Sequence, residues 1–261
     1  MTVELKTPAE IEIMREAGRI VAQVHAAMRA AVAPGVSTLE LDRIAAQMLE
    51  DVGATAAFLN YPKHDAPNFP ATITASVNEE LVHGIPSAER ILQEGDVISL
   101  DVGCHYRGFV GDAAITVPVG RVSPGARRLI SVAEKALEAA IAASVVGNET
   151  RDVAVAVQKY VEAQGYSVVK DYTGHGVGRA MHEEPAIPNW WVRKNQTSSF
   201  ESVALVPGLV YAIEPMVIAG LPGTEELADG WTVVTLDGSL CVHVEHTVAI
   251  TEDGPRILTL P

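Results

Sequence analysis

Residues 94–101 have the sequence EGDVISLD, an apolar run that ends in a carboxylate. Residues 207–214, PGLVYAIE, have the same form, and in both runs a glycine stands six positions before the final acid. A second pair of runs comes later in the chain, FVGDAAITV at 109–117 and VHVEHTVAI at 242–250, each with an acid in fourth place. Runs rich in Val and Ile are typical of buried or half-buried strands. The sequence therefore predicts two related sets of strands.

Two helices are predicted ahead of each set of strands. The N-terminus of a helix is marked by Ser or Thr that is followed directly by proline, or by Glu three residues later. Glycine marks the end of a helix. The predicted starts and stops are Thr7 and Gly35, Ser37 and Gly53, Ser123 and Gly147, and Thr150 and Gly165.

The spacing of these signals also repeats. Gly35, Thr38 and Gly53 are matched by a Gly, Thr and Gly that each stand 112 positions later. Together with the paired strands, the repeat predicts one α+β domain over residues 1–261, built from two halves, about 1–120 and 121–261, that are related by a pseudo-twofold axis.

Composition limits the classes of partner. The 261 residues include 19 basic and 33 acidic side chains, a formal net charge of −14. This excess argues against direct nucleic-acid binding or an anionic membrane surface, since phosphates would be repelled. Two cysteines, no apolar run that could span a bilayer and no apolar signal segment predict a cytoplasmic protein. The acidic surface favours a monomer.

Four acids end or interrupt the apolar runs: Asp101, Asp112, Glu214 and Glu245. A lone carboxylate in a buried strand is costly unless it is neutralised. One salt bridge per acid is the ordinary solution, but few Lys or Arg residues stand nearby, so a metal is favoured. His175, within TGHGVG at 173–178, adds a nitrogen, and its flanking glycines are expected to permit a tight turn and a close approach of the backbone to a ligand.

Four carboxylates and one imidazole suit two divalent ions better than one. Oxygen-rich ligation favours Mn, Fe(II) or Co over a structural zinc site, and paired ions of this kind activate water for hydrolysis. Calcium buffering is the alternative use of such acids, but there is no EF-hand loop and histidine is a poor calcium ligand. No P-loop, dinucleotide fingerprint, GxSxG elbow or HExxH motif occurs.

The other histidines differ in their surroundings. His83 and His182 stand beside Gly or Pro in loop sequence, which is consistent with a solvated side chain or a functional one. His243 and His246 flank Glu245, and both are expected on the face of the strand opposite to that acid, which favours supporting roles over ligation. The histidines expected at the surface are His25, His64 and His105.

Six ordered motifs resemble the type I methionine aminopeptidases of peptidase family M24, in their short bacterial form. They are NEELVHGIP at 78–86, GDVISLDVG at 95–103, Gly111-Asp112, TGHGVGRAMHEEP at 173–185, AIEPM at 212–216 and VEHTV at 244–248. The match extends from about Leu5 to the last predicted strand. It implies the pita-bread α+β fold, two related halves around a curved antiparallel sheet, and removal of the initiator methionine from nascent proteins and peptides, with preference for a small second residue.

The resemblance also implies roles for single residues. The implied metal ligands are Asp101, Asp112, His175, Glu214 and Glu245, with Asp112 and Glu245 bridging two divalent ions (Co, Mn or Fe(II), with zinc as an alternative). A metal-bridging hydroxide would attack the first peptide bond. His182 would then stabilise the oxyanion, Glu214 would carry the proton to the leaving amine, and His83 would position the leaving nitrogen.

The family positions of the methionine pocket correspond to Phe69, Thr74, Met181 and Trp231, with Tyr61 as a further candidate. Ordinary core packing is the alternative for Phe69 and Trp231. Met181 and Thr74 replace the Phe and Cys of many relatives. The segments 60–68 and 189–202 look longer than usual, and the tryptophans at 190 and 191 are interpreted as a rim or contact patch.

Two alternatives stay open. An X-Pro aminopeptidase or prolidase of the same fold would share the metal ligands but usually has an additional N-terminal domain, for which this chain has no room. A non-catalytic binding protein on this fold would be expected to have lost ligands, whereas all five are present.

Overall fold

The structure is a computed structural model that describes residues 3–192 and 200–261. The helices in these residues are α1 (Pro8–Ala31), α2 (Thr38–Asp51), α3 (Pro124–Ala143) and α4 (Thr150–Ala163). None of them combines the length and apolar character that a membrane-crossing helix needs. Residues 193–199, which form the middle of the predicted long segment 189–202, lie outside the described residues.

The strands pair in antiparallel fashion, as an α+β fold requires. In chain order they are β1 (Thr55–Ala56), β2 (Thr74–Val77), β3 (Glu80–Val82), β4 (Val97–Tyr106), β5 (Phe109–Pro118), β6 (Ser167–Val168), β7 (Thr173–Gly176), β8 (Glu183–Pro188), β9 (Val210–Ile213), β10 (Met216–Ile218), β11 (Thr224–Glu226), β12 (Val233–Thr235), β13 (Cys241–His243), β14 (His246–Thr251) and β15 (Gly254–Ile257). In the described residues, β4 pairs with β1, β2 and β5, and the largest sheet has the order β15-β14-β9-β7-β8. The remaining sheets have the orders β13-β10-β6 and β11-β12-β3.

Capping boxes begin the first two helices, as the sequence predicts. Thr7 Oγ1 accepts the Glu10 backbone N–H at 3.3 Å, and Glu10 Oε2 accepts the Thr7 N–H at 2.8 Å. The same reciprocal pair joins Ser37 and Glu40. Each box satisfies backbone donors that have no partner within the helix.

The second pair of helices differs in detail from the prediction. Helix α3 ends at Ala143, one turn before Gly147, and Ser144 Oγ donates to the Ala140 carbonyl at 2.8 Å. The first helical residue of α4 is Thr150, but the residue that caps it is Glu149. The backbone N–H of Glu149 donates to Asp152 Oδ2 at 2.9 Å, and this hydrogen bond stands where a cap by Thr150 was expected.

The strand predicted over 242–250 is interrupted. Strand β13 ends at His243 and β14 begins at His246. Between them, the Glu245 N–H donates to the Ala114 carbonyl of β5 at 2.9 Å. Side chains two residues apart on a strand point to the same face, and His243 stands two residues before Glu245. The prediction that His243 lies on the face opposite Glu245 is therefore wrong.

Helix α1 packs directly on the β4–β5 hairpin. Gly111 of β5 lies so close to the helix backbone at Ala17 and Gly18 that a Cβ would collide with it. The prediction that His25 lies at the surface is wrong, because this α1 residue is buried in the interface. Its place four residues after Val21 and three before Met28 puts it on the apolar stripe of the helix.

Candidate metal centre

The five predicted ligands converge from strands that are distant in sequence. Asp101 and Asp112 lie on β4 and β5, and His175 lies on β7. Glu214 follows β9, and Glu245 occupies the break between β13 and β14. All five line one cavity.

The distances within this group suit a shared cation. One ligand atom each from Asp112, His175 and Glu245 lie within 4.8 Å of one another. His175 Nε2 is 3.6 Å from Asp112 Oδ2 and 3.6 Å from Glu214 Oε1. Repelling carboxylates at this range are stable only when a cation or protons neutralise them.

Burial makes the charges of these acids costly. Asp112 is 1% exposed and Glu245 2%. Burial raises the pKa of Asp112 to about 7. Burial first, and then the charges of Asp112 and Glu214, raise the pKa of Asp101 well above its usual range. The pKa values of Glu214 and Glu245 are raised for the same two reasons, burial and neighbouring carboxylates.

The unpartnered atoms fit a divalent ion. Within the described residues, Asp101 Oδ1, Asp112 Oδ1 and Glu245 Oε1 are buried and accept no hydrogen bond. His175 Nδ1 lies 2.9 Å from the Gly176 carbonyl, to which it donates, so Nε2 is left as the lone-pair nitrogen that faces the carboxylates. Burial lowers the pKa of His175 to about 3, which keeps the imidazole neutral. The donor set, oxygen-rich with one imidazole, suits Mn, Fe(II) or Co.

The glycines around His175 serve strand packing and not a tight turn near a ligand. His175 lies within β7, which runs between β8 and β9. A Cβ on Gly174 would collide with the Ala212 carbonyl of β9, and one on Gly176 with the Glu184 carbonyl of β8. Only glycine lets the backbones of the neighbouring strands approach this closely.

The cavity that the five ligands line has a volume of about 140 Å³, and its other walls are mainly apolar and aromatic. It is lined by all of the predicted pocket residues: Tyr61, Phe69, Thr74, Met181 and Trp231. Phe69 and Trp231 meet edge to face at 5.1 Å, and Trp231 Nε1 donates to the Pro67 carbonyl at 2.8 Å. The volume is below the roughly 300–1,000 Å³ of drug-sized sites and suits one side chain.

Both loop histidines lie at this cavity. His182 Nδ1 is 2.6 Å from the Tyr61 hydroxyl, and its ring lies 4.2 Å from that of His175, centroid to centroid. His83 lies between the rings of Tyr172 and Trp231. Burial lowers the pKa of His83 to about 4 and also lowers that of His182, so both are neutral near pH 7.

Sequence reasoning missed two neighbours of the site. Phe58 lines the cavity. In the sequence it is marked only by its own apolar character and its place shortly before the 60–68 segment. His243 was assigned to the wrong face. Its Nε2 lies 3.6 Å from Glu214 Oε2 and 4.0 Å from Glu245 Oε2.

The tryptophans of the 189–202 segment lie outside this cavity. Both side chains are half-buried, and Trp190 packs against the core that covers α3 and α4. Its Nε1 donates to the Lys170 carbonyl at 3.2 Å, and the Trp191 N–H donates to Gln158 Oε1 at 3.0 Å. The rim or contact patch stays a prediction.

Comparison with known proteins gives a consistent result. The model of metallopeptidase family M24 matches residues 12–252. Methionine aminopeptidase 1 of Bacillus subtilis (strain 168) is 46% identical over 254 residues, 97% of this chain and 98% of that protein. The methionine aminopeptidase of Escherichia coli (strain K12) is 40% identical over 261 residues, 100% of this chain and 95% of that protein.

Solved structures show the same fold. The crystal structure of methionine aminopeptidase from Thermotoga maritima superposes with a TM-score of 0.93 at 39% identity, covering 100% of both chains. Prolidase from Pyrococcus furiosus superposes with a TM-score of 0.77 at 23% identity, covering 98% of this chain and 65% of that one. The second likeness is one of fold alone.

Proposed function

The chain belongs to metallopeptidase family M24, and from this membership we propose that it is a methionine aminopeptidase, which hydrolyses the peptide bond after an N-terminal methionine. The observation that supports this activity best is the small cavity that joins five converging metal-ligand side chains to mainly apolar and aromatic walls. Flexible and aromatic walls such as Met181, Phe69 and Trp231 suit a thioether side chain.

The metal centre is proposed to use the five converging side chains. Asp101, Asp112, His175, Glu214 and Glu245 would hold two divalent ions, with Co, Mn or Fe(II) favoured and zinc as the alternative. When bound, such ions supply Lewis acidity and lower the pKa of a water molecule. Asp112 and Glu245, the most buried of the acids, are the proposed bridging ligands.

The remaining side chains bind substrate and move protons. The Tyr61 hydroxyl lies 2.6 Å from His182 Nδ1, and we assign it as the donor, a tautomer that leaves Nε2–H of His182 to donate to the oxygen of the scissile carbonyl. His83, on the opposite wall beside Trp231, positions the leaving nitrogen. Glu214 delivers a proton to the leaving amine. Preference for a small second residue, a monomeric state, cytoplasmic location and the lack of nucleic-acid binding stay predictions.

A peptide comparison tests the activity. The Mn²⁺-loaded chain is expected to release free methionine from Met-Ala-Ser and to cleave an Ala-Pro peptide at least about a hundredfold more slowly, because a methionine side chain fills the cavity and the methyl group of alanine leaves most of it empty. Released amino acids would be measured by chromatography. N-acetyl-Met-Ala-Ser is the control and should stay intact. Faster release from the X-Pro peptide would favour the prolidase alternative, and no hydrolysis of either would favour the non-catalytic one.

Metal affinity is expected to fall as the pH is lowered through 7. Because burial raises the pKa of Asp112 to about 7, protons compete with the ion below that pH. The pKa of His175 is lowered to about 3, so this imidazole does not compete in the same range. The dissociation constant for Mn²⁺ should rise by up to about tenfold per pH unit between pH 7 and 6.

Isothermal titration calorimetry in buffers of different ionisation enthalpy would measure this change. Comparing the binding enthalpies in these buffers at pH 6.5 should also show that protons are released when Mn²⁺ binds. A dissociation constant that stays the same from pH 8 to pH 6 would contradict the assignment of Asp112 as a ligand.

A further inference from the structure

His243 is a buried imidazole with an unused polar atom. The residue is 2% exposed, and its Nε2 has no hydrogen-bond partner among the described residues. Two carboxylate oxygens face this nitrogen, Glu214 Oε2 at 3.6 Å and Glu245 Oε2 at 4.0 Å. Because a buried polar atom without a partner is costly, a small adjustment that pairs this nitrogen with a carboxylate is favourable.

The backbone of His243 is held by the hairpin that contains Asp101 and Asp112. Its N–H donates to Ser99 Oγ at 3.1 Å and to Thr116 Oγ1 at 3.2 Å. The Thr116 hydroxyl in turn donates to the His243 carbonyl at 2.7 Å. Hydroxyls from β4 and β5 therefore set the position of the imidazole relative to the carboxylates.

Glu214 lies between two imidazoles. Its Oε1 is 3.6 Å from Nε2 of His175, and its Oε2 is 3.6 Å from Nε2 of His243. Asn189 Nδ2 donates to the Glu214 backbone carbonyl at 2.9 Å, which fixes the backbone but not the carboxylate. Rotation of the carboxylate is thus limited mainly by what faces its two oxygens.

We propose that His243 is a positioning residue whose Nε2–H donates to Glu214 Oε2 and so keeps Glu214 Oε1 turned toward His175. A ring nitrogen that donates a hydrogen bond has no lone pair for a metal ion, so this role makes His243 a partner of the ligands and not a ligand. Partners that orient ligating carboxylates typically contribute about 10–100-fold to metal affinity or activity. The effect on turnover rests on the proposed function, whereas the effect on metal affinity does not.

Two variants separate the hydrogen bond from the packing. His243→Leu fills the site without a donor, and His243→Gln keeps an N–H donor of similar reach. His25→Leu is the matched control, because His25 is also buried with an unpartnered Nε2 but lies outside the site cavity. Mn²⁺ titration of each metal-free full-length variant by calorimetry, thermal unfolding, and kcat and KM on Met-Ala-Ser would be measured.

For H243L we expect Mn²⁺ affinity to fall by about 10–100-fold and kcat to fall similarly, with KM changed less than about threefold. H243Q should regain most of the affinity, and H25L should match the wild type in affinity and kcat. Wild-type affinity in folded H243L, or equal losses in H243Q and H243L, would overturn the proposal. If the wild type releases no methionine, the proposed function fails, and the affinities still decide the role of His243.

Discussion

Replacing Asp112 with Asn is expected to remove tight divalent-metal binding and to lower kcat/KM on Met-Ala-Ser by about a thousandfold or more. Asn is nearly isosteric with Asp but supplies no negative charge, and one ligand atom of Asp112 lies within 4.8 Å of ligand atoms of both His175 and Glu245. Without that charge, the ions lose a ligand and the reaction loses the Lewis acid. Metal content by atomic spectrometry and steady-state kinetics would measure both effects.

The same variant should not destabilise the metal-free fold. Asp112 lies among buried carboxylates that raise one another's pKa, so a neutral amide relieves repulsion. The melting temperature of metal-free D112N should therefore equal or exceed that of the metal-free wild type. Asp65→Asn is the control, since Asp65 is exposed and does not line the cavity. Full activity in D112N with quantified metal would contradict the metal-centre assignment.

Replacing His182 with Ala is expected to lower kcat by about 10²–10³-fold with little change in metal content. The loss follows if Nε2–H of His182 donates to the oxygen that becomes negatively charged, because one such donor typically contributes this much. His182 Nδ1 is paired with the Tyr61 hydroxyl at 2.6 Å and its Nε2–H is the proposed donor, so neither nitrogen is left to bind an ion and metal affinity should persist. Kinetics on Met-Ala-Ser and metal titration of the same preparation would test both statements.

His64, in the 60–68 segment that also contains Tyr61, gives the matched control. His64→Ala removes an imidazole whose side chain is 97% exposed, and no effect on kcat is expected. If H182A lost its metal in proportion to its activity, His182 would be a ligand and not an oxyanion donor. If its kcat were unchanged, the proposed substrate contact would be wrong.

Local chemistry made much of the fold predictable. Capping boxes at Thr7 and Ser37 confirmed where two helices begin, and acids in apolar runs pointed to strands β4 and β5. The predicted pita-bread α+β fold is confirmed by the antiparallel sheets and the likeness to the Thermotoga maritima enzyme. The resemblance to the methionine aminopeptidases is confirmed by relatives that match nearly the full chain. The boundary between the two halves and the roles of the site residues stay predictions.

What could not be predicted depends on tertiary contacts. No local pattern reveals the break between β13 and β14, where the Glu245 N–H bonds to β5. The side of the strand on which His243 lies could have been predicted, since residues two apart share a face. The use of Gly174 to admit a neighbouring strand depended on sheet order, which the sequence does not specify. The burial of His25, by contrast, could have been predicted from the sequence. Its spacing places it on the apolar stripe of α1, and the surface prediction gave the polar residue type more weight than that spacing.

The origin of the five ligands in separate strands has a thermodynamic consequence. In an unfolded chain, residues 101 and 245 are far apart, so no preformed site exists and the ions bind only the folded state. Each bound ion would then add about 2.7 kcal/mol to the free energy of unfolding when its free concentration is a hundred times its dissociation constant. The proposed ions would thus act as a non-covalent cross-link between early and late parts of the chain. Loss of metal in a cell would shorten the lifetime of the protein as well as stop its catalysis.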